Sequence, residues 1–174
     1  MMMLKGIYNF DNVMAAVAVG AHFGIPKELI KEALENYIPG NLRSQIIKKN
    51  NLDIILDAYN ANPSSMEAAL MNLKNSFTGH KYIALGEMLE LGETSSSEHA
   101  KIASLIESIN PTNVILVGNL FKESAIKYNY NYFDSSLEAS RWLQQNLPHK
   151  GVLLIKGSRG SKMEKLIEAF DLIQ

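Results

Sequence analysis

The sequence predicts an α/β fold: a mostly parallel sheet with helices on both faces, preceded by a short helical segment. Three observations carry this reading. Short apolar runs rich in Ile, Leu and Val recur along most of the chain, continuous rather than alternating, as expected of strands covered on both faces. Segments with helical spacing of apolar residues separate them. Before about residue 39 the spacing is helical only.

Taken in order, Val13, Ala16, Val17 and Gly20 mark a first helix, which Asn9 or Asp11 could cap. Leu29, Ile30, Ala33, Leu34 and Tyr37 mark a second, divided from the first by Gly24 and Pro26. Pro39-Gly40-Asn41 then breaks the pattern. Strands are predicted at 44–48, 52–58, 82–85, 114–117, 130–133 and 152–156, and helices at 63–77, 96–109, 121–128, 137–147 and 162–170. No fixed-period repeat and no low-complexity segment interrupts them.

Composition limits the function. With 47% hydrophobic residues in 174, the chain can bury an ordinary core. A net charge of −1 argues against a nucleic-acid or membrane-surface partner held by bulk electrostatics. Cys is absent, which removes disulfides, thiolate metal sites and a cysteine nucleophile, and fits a reducing compartment. No apolar run is long enough to span a bilayer. A Gly-rich phosphate loop of the Walker type, a His pair with metal-ligand spacing and a Gly-x-Ser-x-Gly elbow are all missing, so no metal site and no complete catalytic set is predicted.

What the chain does carry is polar clusters after apolar strands. Asp57-Ala-Tyr-Asn-Ala-Asn-Pro-Ser-Ser-Met66 runs from a strand end into a helix. Asn62 suits the cap and Pro63 the first turn. Asp57, Tyr59 and Asn60 are not needed for that turn and are available for a ligand. Gly86-Glu-Met-Leu-Glu-Leu-Gly92 follows the next strand, with His99 soon after. Its acids Glu87 and Glu90 read equally as solvated, and a His on an apolar helix face is more often structural than catalytic. Lys156-Gly-Ser-Arg-Gly-Ser161 follows the last strand; its glycines, Lys156 and Arg159 suit a phosphate or carboxylate, although basic turns with glycine are common. Asn9 and Asn12 could match an adenine edge or serve as a cap and polar turn. Arg43 suits phosphate or plain solvent. In a parallel sheet the ends at Asp57, Leu85 and Lys156 share one edge, where open α/β sheets place ligands.

These strings together resemble the Mur ligase family. The resemblance rests on Tyr8-Asn9-x-x-Asn12-x-x-Ala15-Ala16, Pro39-x-x-x-Arg43-x-Gln45, the Asp57–Met66 string, Leu85-Gly-x-Met-x-Glu-Leu-Gly92 followed by His99, and Lys156-Gly-Ser-Arg159. It covers nearly the whole chain, and the string from Asp57 is specific to the branch that adds D-Ala-D-Ala. Glu87 departs from the family's Asp. The resemblance implies that 39–174 form a C-terminal Rossmann-like ligase domain and 1–38 the terminal helices of a truncated central ATPase domain. It implies an ATP-dependent ligase that activates UDP-N-acetylmuramoyl-tripeptide as an acyl phosphate for attack by D-Ala-D-Ala, in cytoplasmic peptidoglycan precursor synthesis. ATP and Mg²⁺ would be the cofactors, with the metal ligands in the missing part, so this chain alone is expected to be inactive. Asn9 and Asn12 would face adenine, Arg43 the phosphates and Asp57 the ribose. Tyr59, Asn60, Asn62, His99, Lys156, Ser158 and Arg159 would serve the dipeptide and reacting phosphate. The break at 39–41 would act as a hinge. Two alternatives stand beside this: a folylpolyglutamate synthase-type ligase domain, which should lack the Asp57–Met66 string, and a non-catalytic Rossmann-like binding module.

Overall fold

A computed structural model describes residues 10–37 and 45–171. Asn9, Arg43, Ser44 and the break at 39–41 lie outside the described residues. The chain begins with two helices, α1 (Phe10–His22) and α2 (Lys27–Asn36). Gly24 sits at φ +70 in the turn between them, and Pro26 occupies the cap position of α2. The pair meets where Gly20 has no side chain: a Cβ there would lie 2.8 Å from Ile30 Cδ1.

The α/β unit then follows as β1 (Gln45–Lys49), β2 (Asn51–Asp57), α3 (Pro63–Ser76), β3 (Lys81–Gly86), α4 (Ser95–Glu107), β4 (Asn113–Val117), α5 (Lys122–Tyr128), β5 (Asn131–Phe133), α6 (Ser136–Gln145), β6 (Lys150–Lys156) and α7 (Glu168–Asp171). The six strands form one sheet in the order β1-β2-β6-β3-β4-β5. β1 runs antiparallel to β2, joined by a tight turn in which Asn50 takes φ +52. Asn tolerates this left-handed backbone better than most residues. Every other pairing is parallel.

Side-chain alternation sorts the sheet into two core layers. Ile55, Ile83, Leu85, Val114, Leu116, Val152 and Leu154 face α3, α4 and α5. Leu52, Ile54, Leu56, Ala84, Ile115, Leu153 and Ile155 face α6 and the segment ending in α7. Helices offer matching stripes: Met66, Ala69, Leu70 and Leu73 on α3, Ala139 and Leu143 on α6. The crossovers from β2, β3 and β4 leave on the first face, and the return from β5 through α6 to β6 lies on the second. β6 therefore lies between two strands whose following chain departs to the opposite side, which is a topological switch point.

The predicted elements are found with three differences. The helix expected at 162–170 is a run of 3₁₀ turns, Arg159–Ser161 and Met163–Ile167, with α-helix only at Glu168–Asp171. Lys162 takes φ +50 between the turns, and a left-handed residue cannot lie inside a right-handed helix. The predicted helix at 121–128 opens with a 3₁₀ turn, Asn119–Phe121. Asp11 lies inside the first turn of α1 and does not cap it.

Candidate functional site

Asp57 and Lys156 end neighbouring strands and are register partners. Asp57 shares the parity of Ile55, and Lys156 that of Val152 and Leu154, so both side chains leave the sheet on the α3 face. Their meeting follows from register alone: Lys156 Nζ donates to Asp57 Oδ2 at 2.5 Å and to the Asn60 carbonyl at 3.3 Å. The lysine side chain is 2% exposed and the aspartate 16%. Asp57, unneeded for the turn into α3, thus has a structural partner besides any ligand. A buried ammonium needs a counter-charge, and Asp57 supplies it.

Ser158 joins three strand ends. Its backbone N–H donates to the Glu87 carbonyl at 3.0 Å, beyond β3. Its Oγ accepts the Leu89 N–H at 2.9 Å and donates to the Ala61 carbonyl at 3.3 Å, beyond β2. Gly86 and Gly157 let these loops approach. A Cβ on either would lie 2.5 Å from Ser161 Oγ and within 2.7 Å of Met163 Cγ.

His99 falls in the apolar stripe of α4 with Ile102 and Ile106, wholly buried. Nδ1 lies 2.7 Å from the Ser95 carbonyl, and Nε2 accepts the Met88 N–H at 2.9 Å. Those partners define the tautomer with hydrogen on Nδ1. Burial holds the imidazole below its usual 6.5, outweighing the Ser95 carbonyl and the Glu87 carboxylate. With both nitrogens committed to backbone, His99 fastens the loop after β3 and presents neither ring nitrogen free for the substrate role that the resemblance implied.

Glu87 is not simply solvated. Its Oε1 accepts the Leu120 N–H at 2.8 Å, and its side chain lies over Gly118, where a Cβ would meet its carboxyl carbon. The available signal was the glycine followed by a helical turn at 118–121, whose opening N–H groups need an acceptor. Glu90 is exposed at φ +69.

The remaining predicted residues form the rim. Tyr59 is 42% exposed. Asn60 is exposed, its Oδ1 accepting the Ala61 N–H at 2.9 Å. Asn62 caps α3: Oδ1 accepts the Ser65 N–H at 2.8 Å while Ser65 Oγ accepts the Asn62 N–H at 3.1 Å, a reciprocal capping box. Arg159 is 65% exposed and reaches Glu164 at 3.6 Å. Asn12 is exposed on the first turn of α1. The predicted residues at one sheet edge thus divide into a buried foundation (Asp57, Lys156, Ser158, His99) and an exposed rim (Tyr59, Asn60, Asn62, Arg159). Among the described residues no group of three or more His, Asp or Glu could hold a metal ion, and no helix is long and apolar enough to cross a membrane.

Comparison with known proteins covers most of the chain. The family described as Mur ligase, glutamate ligase domain, matches residues 42–159. The UDP-N-acetylmuramoyl-tripeptide–D-alanyl-D-alanine ligase of Bacillus subtilis is 34% identical over 98% of this chain, and this chain covers 39% of it. A crystal structure of MurF from Acinetobacter baumannii superposes with a TM-score of 0.86 at 29% identity, over 98% of this chain and 39% of that one. MurF of Thermotoga maritima, solved in complex with ADP, shares the fold at a TM-score of 0.72 and 23% identity, over 92% of this chain and 37% of that one. The chain therefore spans about two-fifths of the length of the relatives it matches. The strand-end clusters, the switch-point topology and these matches lead to one conclusion: this chain belongs to the Mur ligase family, and its α/β unit is that family's C-terminal domain.

Proposed function

We propose that this chain is the C-terminal part of an ATP-dependent ligase that joins D-Ala-D-Ala to UDP-N-acetylmuramoyl-tripeptide in peptidoglycan precursor synthesis. The observation that carries it is the linkage of three strand-end clusters at one sheet edge, through Asp57–Lys156 and Ser158. The relatives' names support the choice of branch. Residues 1–38 would close the central ATPase domain, and 39–174 would form the C-terminal domain, hinged at 39–41. ATP, the nucleotide-linked tripeptide and the cytoplasm belong to the same reading.

In this reaction the tripeptide carboxylate takes the γ-phosphoryl group of ATP, the dipeptide amine attacks the acyl carbon, and phosphate leaves. This part of the enzyme contributes positioning and charge. The Asp57 carboxylate, held by Lys156, meets the ribose; Asn9 and Asn12 face the adenine and Arg43 the phosphates. Tyr59, Asn60, Asn62 and Arg159 line the entry of the dipeptide, above the support given by Lys156, Ser158 and His99. Mg²⁺ would neutralise phosphate charge, with its ligands in the rest of the enzyme.

The test compares this chain with the ligase that contains it. ADP release that requires both D-Ala-D-Ala and the nucleotide tripeptide is expected of the full-length protein and not of residues 1–174. Full-length protein that releases ADP with glutamate and a folate acceptor instead would refute the proposal, and turnover by residues 1–174 would refute the division of labour.

A further inference from the structure

Glu164 carries an oxygen that no described residue satisfies. Its Oε2 is buried and has no hydrogen-bond partner among the described residues. Its Oε1 lies 3.6 Å from Arg159 Nη1, too long for a good hydrogen bond. An unpartnered buried acceptor is costly, and folds seldom keep one without a reason. The nearby Lys165 is already committed, its Nζ bonded to Glu168 at 2.6 Å. Among the described residues the cation that forms an ion pair with Glu164 is Arg159, and a guanidinium fork matches a carboxylate's two oxygens.

The backbone fixes one partner and leaves the other loose. Met163, next to Glu164, is fully buried against Gly86 and Gly157, where β3 and β6 end. Lys162, at φ +50, turns the chain so that Glu164 faces back toward Arg159. Glu164 is 26% exposed at its side chain, Arg159 65%. An ion pair this exposed adds little stability. What it can add is direction, by restricting a long side chain that would otherwise sample many rotamers.

We infer that Glu164 is a positioning residue: it tethers the Arg159 guanidinium over the carboxyl edge of β6 so that its remaining N–H groups meet an anionic oxygen group of the substrates. That group is the carboxylate of the incoming dipeptide or the phosphoryl group in transfer. The inference rests on the proposed function for Arg159 as the contact, and adds Glu164 as the residue that aims it.

The experiment is a double-mutant cycle in the full-length ligase with Arg159→Ala, Glu164→Gln and the pair, measuring kcat and KM for D-Ala-D-Ala and for ATP, and thermal melting. Glu164→Gln keeps size and removes the charge. It is expected to raise one KM about three- to tenfold, the range of a weakened charge-assisted contact. A rise confined to D-Ala-D-Ala identifies the carboxylate, and a rise confined to ATP identifies the phosphoryl group. The double variant should be no worse than Arg159→Ala, because the tether has nothing left to aim. Equal effects of Glu164→Gln with and without Arg159 would overturn the inference, as would a lowered melting point with unchanged kinetics. If Arg159→Ala itself changes neither KM, the contact assigned to Arg159 fails and the tether with it; if Arg159→Ala is harmful and Glu164→Gln silent, only the tether fails. Should Glu164→Gln not fold, Glu164→Asp retains the charge on a shorter arm, and a smaller rise in the same KM is expected; an unchanged KM there overturns the inference.

Discussion

Asp57 shows how one residue can answer to two demands. As a strand-end carboxylate it suits a ribose hydroxyl; as the partner of Lys156 it neutralises a charge that is 2% exposed. Removing one member of a buried pair strands the other, at about 3–5 kcal/mol. Asp57→Ala should therefore destabilise the chain by that order in urea unfolding, and Asp57→Ala with Lys156→Met should recover most of the loss. A single-variant loss below about 1 kcal/mol would show that Lys156 finds water or another partner instead. His99 gives a pH prediction with a definite sign. Its folded pKa is lowered from 6.5, so the unfolded chain takes up a proton before the folded one does. Its contribution is fully present above 6.5 and is lost as pH falls from there through the folded pKa. Protonating Nε2 would also eject the Met88 N–H. Melting followed from pH 7.5 to 5 should decline more steeply in the native chain than in His99→Gln, and parallel profiles would refute this.

At the scale of the element, α3 is the clearest case of a start signal. Asn62, Pro63 and Ser65 satisfy the first turn locally, with Met66, Ala69, Leu70 and Leu73 buried behind them. Asn62→Ala removes the acceptor for the Ser65 N–H and should cost about 1 kcal/mol. Because α3 opens at the site, the same variant separates capping from substrate contact. Asn62→Ser keeps a cap, so it should restore the melting temperature; if, in the full-length ligase proposed above, the KM for D-Ala-D-Ala then stays raised, Asn62 touches substrate as proposed. If both recover together, Asn62 is a cap only. The last element taught the opposite lesson. Its apolar spacing, Met163, Leu166, Ala169 and Phe170, is helical in the sequence and buried in the structure. Yet Lys162 at φ +50 and the crowding at Gly86 and Gly157 impose tighter turns, so periodicity identified the buried face and not the backbone.

For the whole molecule, the two helices at the start and the α/β unit make separate claims on stability. Among the described residues neither core layer draws a side chain from α1 or α2, and Phe10, Val19, Phe23 and Leu29 are each more than half exposed. Residues 45–171 should accordingly unfold within about 1 kcal/mol of the 174-residue chain in urea, the ordinary spread for changes outside a core. A much lower midpoint for the shorter chain would show that the helices brace the sheet.

The sequence by itself determined the α/β class, the alternation of elements, the cap at Asn62 and the polar clusters after β2, β3 and β6, because turn chemistry and apolar periodicity are local. The resemblance in those clusters pointed to the family that the comparisons establish. Tertiary structure alone decided that β6 enters between β2 and β3, since an apolar strand carries no mark of its neighbour. Only that insertion brings Lys156 to Asp57 across 99 positions of sequence and lets Ser158 tie three loops together. It also separated foundation from rim. A carboxylate, an imidazole or a hydroxyl has the same chemistry wherever it stands in a chain, and burial, which arises from contacts distant in sequence, decides whether it faces a ligand or its own backbone.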